Sequence, residues 1–67
     1  MCDINVYLYT NGSERLVLEN VDEVASRGDE TRVSNIFGEE RVFSARLAYY
    51  RNSEKKMVFV PVSDLTP

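Results

Sequence analysis

Ile4, Val6 and Leu8 alternate with Asn5, Tyr7 and Tyr9, the period of two that marks a half-buried strand. Asn11-Gly12 follows at once, and both residues tolerate positive φ, so a tight hairpin is predicted. Arg15 to Glu19 returns, with Leu16 and Leu18 assigned to the core side. Val21 to Ser26 reads either as a short strand or as an acidic connection, because Asp22 and Glu23 are poor strand formers. Arg27-Gly28-Asp29 makes a turn, Gly28 supplying the permissive backbone. Thr31 to Asn35 is the next strand, with Thr31 and Val33 on one face and Arg32 and Ser34 on the other. Phe37-Gly38-Glu39 turns the chain into a longer run, Arg41 to Tyr50, which carries Phe43, Ala45, Leu47 and Tyr49 on one face. That run is long enough to bend between two halves of a barrel. Asn52-Ser53-Glu54 leads into Lys56 to Val62, where Pro61 is tolerated near the end of an edge.

No stretch predicts a helix. Arg46 to Tyr50 is the most tolerant piece, but it lacks an N-cap and sits among β-branched and aromatic residues. Strands at this spacing, punctuated by hairpin turns, predict an all-β fold. The expectation is a small antiparallel barrel or sandwich of about five to seven short strands, forming one domain over residues 1–67. Parallel pairing is not expected, since it needs longer crossovers than these connections provide. The predicted core is Val6, Leu8, Leu16, Leu18, Val33, Phe43 and Leu47.

Length sharpens this picture. A chain of about 60 residues buries only ~60% of its unfolded surface, so 67 residues favour association and disfavour a large catalytic cleft. A symmetric homodimer burying Tyr7 or Tyr9 is expected. The lone cysteine cannot form an internal disulfide and fits a reducing compartment. No basic-then-apolar leader and no apolar run of membrane-spanning length is visible, which predicts a cytoplasmic protein with no membrane partner.

Net charge is −3, which argues against indiscriminate nucleic-acid binding. The charge is unevenly spread. Residues 1–30 hold seven acids and two bases, whereas residues 31–67 hold four acids and six bases. Arg41, Arg46, Arg51, Lys55 and Lys56 supply most of the basic half. Solvated strand edges that discourage aggregation are the plainer account of them.

Most catalytic constellations are excluded by composition. With no histidine, neither a Ser-His-Asp nor a Cys-His arrangement exists, and histidine zinc sites are ruled out. Gly12, Gly28 and Gly38 stand alone in turns, without a phosphate-cradling loop. The pairs Asp22-Glu23, Asp29-Glu30 and Glu39-Glu40 would point to opposite faces of a strand. An N-terminal cysteine can act as a nucleophile with its own amine as base, but such a hydrolase needs a cleft this chain can hardly build.

Two features carry chemistry. Cys2 follows Met1 directly, and cysteine is small enough for the initiator to be trimmed. Trimming leaves an α-amine, a thiolate and a backbone amide in one chelating segment, a donor set suited to tetragonal Ni(II) or Cu(II). The plainer alternative is that Cys2 simply packs. Asp3 either adds a carboxylate or caps the start of the first strand, the second being commoner. One cysteine supplies one sulfur, so a complete site takes backbone nitrogens or the Cys2 of a twofold mate. The second feature is a run of outward tyrosines near cations. Arg46, Tyr49, Tyr50 and Arg51 suit stacking of single-stranded RNA bases, or equally a dimer interface, where Tyr and Arg are enriched.

The Met1-Cys2 start, a Val-x-Leu strand and the segment Val33-Ser34-Asn35-Ile36-Phe37-Gly38-Glu39-Glu40-Arg41 together resemble the small CooT-type proteins. The resemblance spans nearly the whole chain, and its sharp parts are the Met-Cys start and Ile36 to Glu39. It implies an all-β homodimer that binds nickel through Cys2, an accessory protein supplying carbon monoxide dehydrogenase and not itself an enzyme. The same family has carried the label of predicted RNA-binding protein. The chain departs from the family at Asp3, where a small apolar residue is common, and at Ala45, near a usual glycine. Three readings therefore compete: a Ni(II)-binding accessory protein with a nickel-enzyme client, an RNA-binding module, and an interaction module with no small ligand.

Overall fold

The computed structural model describes residues 4–62. They form β1 (Ile4–Thr10), β2 (Ser13–Arg27), β3 (Glu30–Asn35), β4 (Glu40–Arg51) and β5 (Lys56–Pro61), with one 3-10 turn at Asn52–Glu54 before β5. The strands close into a barrel in chain order. Asn11 and Gly12 both take positive φ, 52° and 80°, as the hairpin between β1 and β2 requires.

Two long strands let so short a chain close. The first part of β2 pairs with β1 from Ser13 to Val21, and its later part pairs with β3 from Val21 to Arg27. In the same way β4 pairs with β3 from Glu40 to Ser44, then with β5 from Ala45 to Arg51. The run Arg41 to Tyr50 therefore passes from one pairing partner to another, and the ambiguous segment Val21 to Ser26 is strand. The change of partner in β4 falls at Ala45, which is buried. There Thr31 Oγ1 donates to the Ala45 carbonyl at 3.1 Å, and the Ala45 N–H donates to the Asp29 carbonyl at 3.0 Å. Thr31 is thus a buried polar residue whose hydroxyl is satisfied.

Closure corrects one expectation. Asn5 to Leu8 of β1 pairs in parallel with Lys56 to Phe59 of β5. The length limit on parallel pairs applies to a single crossover; here three intervening strands make the connection, so no short loop has to span it.

The core consists of Val6, Leu18, Val21, Val33, Ala45 and Phe59, with Leu8, Val17, Phe43 and Met57 partly buried against it. Phe43 meets Phe59 edge-on, with ring centroids 5.4 Å apart, a favoured aromatic geometry. Two expected core residues lie outside. Leu16 is 48% exposed and Leu47 53%. Val6 opposes Leu18, but Tyr7 opposes Leu16, so Val17 is an extra residue in β2. Such a bulge shifts the alternation by one residue. Val17 turns inward and Leu16 joins Tyr7 on the outer face. Leu47 does oppose buried Phe59, but pairing with β3 has ended at Ser44. An extra residue, Ala48, then interrupts the β4–β5 ladder. Leu47 therefore has a paired strand on only one side.

Candidate functional site

Ile4 opens β1 and pairs with Val21, which in turn pairs with Asn35 at the end of β3. This row brings the start of β1 and the Ile36 to Glu39 segment to one end of the barrel. Cys2 and Asp3, the metal-binding residues expected from sequence, lie outside the described residues, immediately before Ile4. Asn20, at φ 56°, donates its N–H to Asn5 Oδ1 at 3.4 Å, so a side chain of β1 bridges the irregular stretch of β2 beside that row.

Asn35 organises the turn that follows. Its side chain is buried, and Oδ1 accepts the N–H groups of Phe37 and Glu39, each at 3.0 Å. Nδ2 donates to the Glu19 carbonyl at 3.2 Å and to Glu39 Oε1 at 2.7 Å. The Gly38 N–H adds a bond to the Asn35 carbonyl, at a Gly38 φ of 86°, which a side chain would strain. An Asn hydrogen-bonding backbone two residues on is the Asx-turn chemistry that this residue type favours. The effect is to hold Ile36 and Phe37 outward, at 56% and 68% exposure. Beside Phe37 lies a groove of about 240 Å³ lined also by Leu16, Glu19, Glu39 and Arg41.

A second cluster sits on the outer face near the barrel closure. Glu14 forms an ion pair with Lys56 and accepts the Tyr49 hydroxyl at 2.7 Å. The Lys56 ammonium lies 5.0 Å from the centre of the Tyr7 ring, and the Arg51 guanidinium 5.1 Å from that of Tyr49, both within cation–π range. Val58, flanked in register by Tyr7 and Tyr49, is buried. Hydrogen bonds from Lys56 and then Tyr49 hold the Glu14 carboxyl below its ordinary value. The same contacts to Glu14 raise the Tyr49 hydroxyl and the Lys56 ammonium above theirs.

The residues proposed for stacking bases are divided by this arrangement. Tyr49 and Arg51 sit together in the outer cluster, and Arg51 also pairs with Glu54 at 3.5 Å. Tyr50 donates to Asn52 Oδ1 at 2.9 Å. Arg46 pairs with Asp29, in the turn between β2 and β3, at 3.4 Å. Among the described residues, no group of three or more Cys, His, Asp or Glu is placed to hold a metal ion, and no helix is long and apolar enough to cross a membrane. Sequence reasoning missed the Asn35 anchor, although Asn three positions before Gly38 is a turn signal. It also missed Glu14, whose partners are distant in the chain and leave no local pattern.

Comparison with known proteins decides the family. The model of the CO dehydrogenase accessory protein CooT matches residues 1–58. The chain belongs to the CooT family. Its fold matches a crystal structure assigned to CooT from Carboxydothermus hydrogenoformans, with a TM-score of 0.80 and 22% identity. That match covers 90% of this chain and 97% of the other. No functionally curated protein matches. The CooT match includes both Cys2 and the Asn35-anchored turn.

Proposed function

We propose that this CooT-family protein binds nickel(II) through Cys2 and supplies or buffers it for a nickel enzyme of the carbon monoxide dehydrogenase class, with no catalytic role of its own. The observation that carries the reading is the CooT match over residues 1–58, which takes in the Met1-Cys2 start. The donor chemistry supports it. With Met1 removed, the thiolate, α-amine and adjacent amide nitrogen form a chelate suited to a square-planar d-block ion. Asp3 is positioned in sequence to add a carboxylate. One thiolate per chain favours a twofold homodimer in which two Cys2 residues share the ion, and a single free thiol suits a reducing, cytoplasmic setting.

Nickel is cargo in this account. The chain supplies the ligands from its first residues. All three donors lose a proton on coordination, so binding tightens as pH rises. Intact-mass analysis of protein from its native host establishes whether Met1 is absent. Titration of that processed protein with Ni(II), read by thiolate-to-nickel charge-transfer absorption, tests the proposal; Cys2→Ser removes the band.

A further inference from the structure

Ile36 and Phe37 point into solvent from the turn between β3 and β4. Singly exposed apolar residues are ordinary, but this pair is set apart in three ways. Phe37 and the exposed Leu16 line one groove, so the apolar surface is contiguous across two elements. The pair is held rigidly, because buried Asn35 ties down the backbone on either side of it. A pre-ordered knob loses little conformational freedom on binding. Finally, the surroundings are acidic. Glu19 and Glu39 line the groove with Phe37, and Glu23 sits against Ser34, while Arg41 is the one cation lining the groove among the described residues.

Resting on the accessory-protein reading above, we propose that the Ile36–Phe37 knob and the Leu16 groove are the docking surface for the client enzyme. The complementary surface is an apolar socket rimmed by Lys and Arg. The charge of the rim selects this occupant. Self-association through this face, as distinct from a dimer formed through Tyr7 or Tyr9, would bring Glu19, Glu23 and Glu39 toward the same acids of the other copy, which like-charge repulsion disfavours.

The test uses the apo-form of the carbon monoxide dehydrogenase from the same organism, titrated by calorimetry with processed protein. Phe37→Ser and Glu19→Lys should each weaken association at least about tenfold, as loss of an interface anchor does. The Glu19→Lys loss should shrink at high salt. Both variants should keep the wild-type nickel charge-transfer titration and thermal midpoint. Wild-type protein that binds nickel but not the apo-enzyme would overturn the proposal, as would variants that bind it like wild type. Phe37→Ser splitting a dimer into monomers would assign the face to a second copy and overturn it too. Wild-type protein that fails to bind nickel instead refutes the nickel reading, and does so whatever the docking titration gives.

Discussion

Tyr49 donates a 2.7 Å hydrogen bond to Glu14, joining β4 to the start of β2 across the outside of the barrel. Lys56, at the first position of β5, pairs with the same carboxylate. One acid therefore links the hairpin strand to both strands of the β4–β5 ladder. This fastens the region where β5 closes the barrel against β1.

That linkage sets a pH dependence. The Glu14 carboxyl is held below its ordinary value, so its contribution to stability is complete above the ordinary carboxylate range and is lost as pH falls through the lowered folded value. Tyr49 and Lys56 are raised, so their contributions are complete below their ordinary values and are lost as pH rises through the raised ones. Thermal midpoints measured against pH should show a plateau that falls off on the acid side as Glu14 protonates. Glu14→Gln should lower the plateau and flatten the acid limb. An unchanged acid limb in that variant would show that other carboxylates control it.

The corrected register predicts a contrast between apolar residues. Phe59→Ala removes a buried ring and should cost about 3–5 kcal/mol, a large share of the ~3–10 kcal/mol available to a chain this size. Leu16→Ala, on the outer face, should stay within about 0.5 kcal/mol. Urea denaturation of both variants measures the difference. Comparable losses would place Leu16 back in the core.

Leu16 also shows where sequence reading stops. The period of two located β1 and β3, the Asn52-Ser53-Glu54 turn signal located β5, and Asn11-Gly12 marked its hairpin, because these signals are local. The extra residues at Val17 and Ala48 are not marked by composition; they follow from how neighbouring strands twist past one another, and each moves the expected face by one position. The Cys2 donor set was legible because it depends on adjacent atoms of the chain. The Glu14–Tyr49–Lys56 cluster was not, since three distant segments create it. Asn35 lay between these cases: its turn chemistry was visible locally, but the bond to the Glu19 carbonyl comes from the barrel.

Asn35→Ala should leave the Phe37 and Glu39 N–H groups and the Glu19 carbonyl without their side-chain partner, costing about 1–3 kcal/mol. Asn35→Asp keeps the acceptor for both N–H groups but loses the Nδ2 donor and places a carboxylate against Glu39. Its destabilisation should be relieved in part by a second change, Glu39→Gln, which removes the facing charge. Urea denaturation of the single and double variants checks this, and no relief in the double variant would remove Glu39 from the account.

A symmetric dimer is expected at micromolar concentration, with Tyr7 or Tyr9 at the interface. Sedimentation equilibrium should give twice the 7.7 kDa chain mass. A monomer would mean that any shared Cys2 site forms only on metal binding.

The most direct test is nickel titration of protein whose Met1 has been removed, compared with Cys2→Ser. Wild type should bind Ni(II) with a thiolate charge-transfer band and tighter affinity at higher pH, while Cys2→Ser loses the band and keeps its fold by circular dichroism. Equal nickel binding by the two proteins would contradict the account.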